Sequence, residues 1–195
     1  MKSITIYCSA STSLEPEYYE TAELVGRTIA ERGIDLVYGG GGIGLMGAVA
    51  KSCKSAGGTV TGVITEHLMT MEQGWTGCDE LLVVGTMRER KHLMIERAEG
   101  FLVLPGGIGT YEEFFEVLVG RLLEEHPHPI AILNDRNYFD PLVSILEHGI
   151  EHRFIARPTM DLVQIGDDPI ALIDALIASE TVEIDPDRFY PARSG

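Results

Sequence analysis

Tyr38-Gly39-Gly40-Gly41-Gly42-Ile43-Gly44-Leu45-Met46-Gly47 places six glycines within nine residues, between an apolar strand-like run and the start of a helical one. Glycine accepts positive φ and lets a ligand approach the peptide N–H groups closely. The helix that follows adds a partial positive charge at its N-terminus, which favours an anion. A tight strand-to-helix turn with no ligand would use the same glycines. Gly42-x-Gly44-x-x-Gly47 also fits the dinucleotide fingerprint, with Glu66 standing 19 residues after Gly47, just past the next strand. That fingerprint belongs on a first strand, however, and here it follows the second. No Gly-Lys-Ser/Thr is present, so the loop is not a Walker A turn.

Working outward, short apolar or β-branched runs alternate with helical stretches. Strands are expected at Ile4–Cys8, Asp35–Tyr38, Thr59–Ile64, Leu81–Val84, Phe101–Leu104 and Ile130–Leu133. Helices are expected at Glu17–Arg32, Leu45–Ala56, Met87–Glu99, Tyr111–Glu125 and Pro141–His152, with a further run at Asp161–Ile165 before a helix near Pro169–Ser179. Apolar strands separated by helices indicate an α/β fold, a Rossmann-like parallel sheet with helices on both faces. At 195 residues the chain is the size of one domain. We expect a single nucleotide-binding domain over residues 1–180, and a tail over 181–195 that packs loosely or reaches a partner. The order of strands is left open by the pattern.

A second glycine turn, Leu104-Pro105-Gly106-Gly107-Ile108-Gly109-Thr110-Tyr111-Glu112-Glu113, repeats the strand–loop–helix arrangement. Its helix has Tyr111, Phe114, Phe115, Leu118 and Leu122 as the expected buried face. Thr110 and Glu113 stand at the spacing of a capping box, which is one reading of the glutamate. The other is functional, with Thr110 and the N–H groups of Gly107 and Gly109 gripping a phosphate. Two such loops on one short chain suit a nucleoside monophosphate better than coincidence does. Between them runs Met87-Arg88-Glu89-Arg90-Lys91-His92-Leu93-Met94. On a helix Arg90, Met94 and Arg97 share a face, so Arg90 could reach the same cleft. Residues 88–97 carry four Lys/Arg against two Glu, a locally basic segment in an acidic chain.

The net charge of −15 argues against nucleic-acid binding, which requires an extended basic surface. No apolar stretch approaches the length of a bilayer span, so no membrane partner is expected. Met1-Lys2-Ser3 leads directly into a strand-like run without a secretory h-region. Cys8, Cys53 and Cys78 lack CxxC or Cys/His spacing, so neither a disulfide framework nor a metal site is indicated, and a cytoplasmic setting fits.

At these residues the chain closely resembles the LONELY GUY family. The family hallmark PGGxGTxxE occupies Pro105 through Glu113, YGGGxxGLMG stands at Tyr38–Gly47, and the MHERK segment reads Met87-Arg88-Glu89-Arg90-Lys91. The resemblance extends from about Ile4 to Ile155. It implies a Rossmann-like homodimer that cleaves an N6-substituted adenosine 5′-monophosphate into free base and ribose 5-phosphate without a cofactor. Many members carry the label "possible lysine decarboxylase", but nothing in the chain supports pyridoxal-phosphate chemistry. The resemblance places Arg90 and Glu113 at the catalytic centre, with Lys91 beside them. The expected substrate-binding set is completed by Gly41, Gly42, Gly44, Met87, Gly106, Gly107, Gly109, Thr110 and Glu112, the last toward the ribose hydroxyls. Four departures bear on base recognition and the subunit contact. Arg88 replaces the usual histidine. The end of the first strand reads Cys8-Ser9-Ala10-Ser11. The stretch after the hallmark, Val119-Gly120-Arg121-Leu122-Leu123-Glu124-Glu125-His126, keeps only a leucine and the histidine of TWxQLGxH. His128 stands where lysine is usual. Two alternatives stay open: a non-catalytic nucleotide or molybdenum-cofactor carrier of similar fold, and a dinucleotide-dependent oxidoreductase.

Overall fold

In the computed structural model, residues 1–180, 184, 185 and 189 are described. Seven strands, β1 (Ser3–Tyr7), β2 (Asp35–Tyr38), β3 (Val60–Thr65), β4 (Glu80–Val84), β5 (Phe101–Val103), β6 (Ile130–Leu133) and β7 (Val163–Gly166), form one sheet in the order β4-β3-β2-β1-β5-β6-β7. Every pairing is parallel. Among the described residues six α-helices supply the crossovers, α1 (Pro16–Glu31), α2 (Gly44–Ser55), α3 (Glu66–Met71), α4 (Met87–Glu96), α5 (Ile108–Leu122) and α6 (Asp140–Glu151), and α7 (Pro169–Ile177) follows the last strand. The chain runs outward from β1 to β4, then returns to the other side of β1 with β5. That reversal opens a crevice beyond the carboxyl ends of β1 and β5, where open parallel sheets bind ligands.

Strand alternation sorts the core into two layers. Ile4, Ile6 and Cys8 face α1, α2 and α7, where Val25, Ile29, Val49, Cys53 and Ile173 are fully buried. Tyr7, Val37, Val63, Phe101, Val103 and Ile132 face α4, α5 and α6, and pack on Met94, Phe114, Val117 and Leu146. Within the first layer α1 crosses α2 so closely that a Cβ on Gly26 would sit 2.2 Å from the carbonyl oxygen of Val49.

The expected α/β class, strands and major helices are all present, with ends displaced by at most three residues. Three differences bear on the site. Helix α3 was not anticipated; it is short and buries none of its residues, so it lacks an apolar stripe. Helix α5 begins at Ile108, so Gly109 and Thr110 lie in its first turn. The buried face of α5 is Phe114, Val117 and Leu118, while Phe115 turns outward and Tyr111 and Leu122 are half-buried. In the tail, Phe189 is buried in the second core layer beside Ile184; the rest of the tail lies outside the described residues.

Candidate active site

The second glycine turn lies at the crevice itself. Leu104 N–H donates to Tyr7 O (2.9 Å) and Ser9 N–H to Pro105 O (3.2 Å), which fixes the turn against the end of β1. The hydroxyl of Tyr138 donates to Gly106 O at 2.5 Å from the other side. A Cβ on Gly106 would meet Thr110 Oγ1 at 2.1 Å, whereas Cβ atoms on Gly107 and Gly109 would point into open space. Gly107 is the N-cap of α5, and no side chain caps the helix. The first-turn amides of a 15-residue helix therefore open toward the crevice with the positive end of its dipole. A cleft of about 230 Å³ lies there, lined by Ser9, Ser11, Leu14, Tyr18, Gly106, Gly107 and Tyr138 among others.

The Thr110–Glu113 capping box is absent, because α5 starts three residues before Thr110 would need to cap it. A cap of that spacing forms instead on α4, where the Thr86 side chain accepts from Glu89 N–H (3.1 Å) and Glu89 Oε2 accepts from Gly85 N–H (3.3 Å). Glu113 is thus free for another role, and it meets Arg90. The guanidinium Nη1 donates to Glu113 Oε1 at 3.3 Å, Nε to Val63 O at 2.9 Å, and Nη2 to Gly39 O at 3.2 Å. Arg90 is 5% and Glu113 8% exposed, so both charges are out of bulk water. Gly39 is required for this contact, since a Cβ there would sit 2.1 Å from Arg90 Nη2.

Burial pushes the Glu113 carboxyl up to about 7; Arg90 opposes the shift, and Glu112, Glu72 and Glu116 add to it. The desolvation cost of the charged form exceeds the attraction of a single guanidinium shared among three acceptors. A carboxyl balanced between its two protonation states at neutral pH is the form that proton-transfer chemistry requires.

Glu72, which the sequence pattern did not single out, is a further carboxyl close enough to act electrostatically on Glu113 and Arg90. Its Oε2 is buried and has no hydrogen-bond partner among the described residues, and it packs against Gly41, where a Cβ would lie 3.3 Å from that oxygen. Burial raises its carboxyl as well, with Arg90 working the other way. It follows the short helix α3, so no periodic pattern could single it out.

The first glycine loop does a different job from the second. Gly42 N–H already donates to the carbonyls of Glu72 and Gln73, both at 3.0 Å, and Trp75 N–H donates to Gly40 O. Leu45 and Met46 N–H donate to Ser9 O, and Gly44 has φ +60 with no room for a Cβ beside Ala10 and Ser9. Gly41, Gly42 and Gly44 therefore clamp the segment after α3 and the end of β1 against the crevice. The Gly42 N–H is thus already in use and is not open to a ligand. Lys91 is likewise engaged, in a short hydrogen bond to Glu112 and a 3.1 Å ion pair with Glu116. Met87 opens α4 and is 43% exposed. Arg97 is the C-cap of α4 and pairs with Glu80 at 2.7 Å.

Of the four departures, Arg88 and His128 line a separate, larger groove of about 800 Å³ between α4 and the far end of α5, with Gly120 and His126. His126 is buried and tied to Val117 O at 2.9 Å.

The family model described as "possible lysine decarboxylase" matches residues 46–176. A cytokinin riboside 5′-monophosphate phosphoribohydrolase of Rhodococcoides fascians is 43% identical over 176 residues, 90% of this chain and 89% of its own. The protein of that name from Oryza sativa subsp. japonica, LOG, is 38% identical over 82% of this chain and 66% of its own. Among solved structures, the molybdenum cofactor carrier protein of Chlamydomonas reinhardtii superposes with a TM-score of 0.69 at 22% identity, covering 91% of this chain and 99% of its own. That likeness is one of fold.

Proposed function

The chain belongs to the LONELY GUY family, grouped under the description "possible lysine decarboxylase", and on that premise we propose that it hydrolyses the N-glycosidic bond of a purine nucleoside 5′-monophosphate. The products are the free base and ribose 5-phosphate, and the base is an N6-modified adenine. The observation that carries this reading is the buried Arg90–Glu113 pair one turn below the uncapped start of α5.

The 5′-phosphate sits on the open amides of Gly107 and Gly109 and the hydroxyl of Thr110, with Gly106 shaping the turn. Ribose then lies over Glu113. As the C1′–N bond stretches, positive charge grows on the sugar, and the carboxylate stabilises it. Water adds its oxygen to C1′ and gives a proton to Glu113, and that proton passes on to the nitrogen of the departing base, so that one water is divided between sugar and base and the carboxylate is restored. Arg90 acts as a positioning residue, since its bonds to Val63 O and Gly39 O leave it one orientation toward Glu113. Glu72 offers a hydrogen-bonding oxygen to the nucleoside from the opposite wall, and Glu112, paired with Lys91, borders the ribose hydroxyls. Met87, Gly41, Gly42 and Gly44 complete the walls. No cofactor takes part. Phosphate binding remote from C1′ supplies energy for orienting the reacting centre. Base release from AMP is therefore expected to be far faster than from adenosine, measured by chromatography under identical conditions. Comparable rates on the two would remove the phosphate anchor from the account.

The working unit is a homodimer. Phe115, Val119 and Leu123 recur along α5 at helical spacing and are 38%, 48% and 58% exposed, a continuous apolar stripe beside the large groove. A second copy of the same stripe is its self-complementary occupant. We expect the protein to elute at twice the 21.4 kDa chain mass and a Val119→Glu variant at the monomer mass; a monomeric wild type would refute the pairing. The three free thiols suit a reducing cytoplasm. No helix among the described residues is long and apolar enough to cross a membrane.

A further inference from the structure

Helix α6 ends in His148-Gly149-Ile150-Glu151-His152, a stretch that the hydrolytic reading leaves unused. Side chains three and four residues apart share one helix face. The two imidazoles accordingly lie with centroids 4.3 Å apart, and one ligand atom each from His148, Glu151 and His152 falls within 4.8 Å of the others. All three are exposed, and none has a side-chain hydrogen bond or ion pair among the described residues. Glu147, one turn earlier, is already committed to Arg157 at 2.8 Å.

We propose that this last turn of α6 binds one divalent transition-metal ion through His148, Glu151 and His152. Paired histidines at i and i+4 with a nearby glutamate are a donor set that zinc, nickel and copper accept. With metal–nitrogen bonds of about 2.0–2.1 Å, tetrahedral donors lie about 3.3 Å apart, so the side chains close inward by roughly an ångström. Exposed rotamers make that adjustment freely. The carbonyls at a helix C-terminus add negative potential that favours a cation. Three protein donors leave at least one coordination position for water or an outside ligand.

The ion would play no part in glycosidic cleavage. Helices return antiparallel to the strands they connect, so the end of α6 lies at the edge of the sheet where strands begin, away from the glycine turns. Its effect would be on stability, because a ligand bound only by the folded chain raises the melting temperature.

The test titrates Zn²⁺ into the metal-free full chain by calorimetry, with Cu²⁺ paramagnetic resonance as the coordination probe. We expect one strong site per chain, two imidazole nitrogens coupled to copper, and a zinc-dependent rise in melting temperature. The His148→Ala/His152→Ala double variant loses all three signals while keeping its base-release activity and circular dichroism. His92→Ala, at the other groove, keeps them. An absence of zinc binding by wild type, or undiminished binding by the double variant, would overturn the proposal.

Discussion

Glu113→Gln is expected to lower kcat by about 10²–10⁴-fold, the range for loss of a general acid–base group. The amide keeps the shape of the side chain and an oxygen that can still accept from Arg90 Nη1, so the fold and nucleotide binding should survive. It cannot take a proton from water or offset charge at C1′. The pH profile checks this independently. With its carboxyl pushed up to about 7 by burial, Glu113 becomes ionised as pH rises through neutrality. Wild-type kcat/KM should therefore climb with pH and level off above about 7, and the variant should lack that limb. Stability runs the opposite way. The folded state holds this proton more tightly than the unfolded chain does, so the contribution is full below the ordinary value of 4.5 and is lost as pH rises to about 7. A variant with normal turnover and a lowered melting temperature would make Glu113 a structural residue.

Arg90→Ala should be more damaging, because two functions fail together. The side chain satisfies carbonyls on β3 and on the first glycine loop as well as Glu113, and its removal leaves a buried carboxylate without its partner. Breaking a buried pair from one side costs about 3–5 kcal/mol. The loss should be greatest above pH 7 and smaller below it, where Glu113 is protonated with or without Arg90. Arg90→Lys restores the charge but not the fork that reaches three acceptors, so it should recover stability better than turnover. Thermal denaturation and base-release kinetics on both variants would separate these effects. Unchanged kinetics in Arg90→Ala would dismiss its role in holding Glu113.

The strand and helix pattern was legible because each β–α unit of a doubly covered sheet announces itself locally, in apolar runs and glycine turns. The pairing of Arg90 with Glu113 was accessible through the resemblance. Helical spacing alone grouped Arg90 with Arg97, which the structure turns toward Glu80. What the sequence could not convey was competition for the same groups. Gly42 was expected among the substrate-binding glycines, but the segment after α3 supplies carbonyls to its amide. Thr110 and Glu113 had the spacing of a cap, but α5 began earlier and left the glutamate to Arg90. Glu72 enters through tertiary packing of an irregular segment, which carries no periodic signal. Similarly, Phe115 fitted an amphipathic pattern yet faces outward, because α5 carries a second apolar stripe.

Incubating the purified protein with isopentenyl-AMP, and separately with AMP, and quantifying free base and ribose 5-phosphate by chromatography tests the central claim most directly. The account predicts equimolar base and ribose 5-phosphate, with preference for the N6-substituted nucleotide. Tight nucleotide binding with no release of base from either would contradict it, and would leave the crevice as a binding site alone.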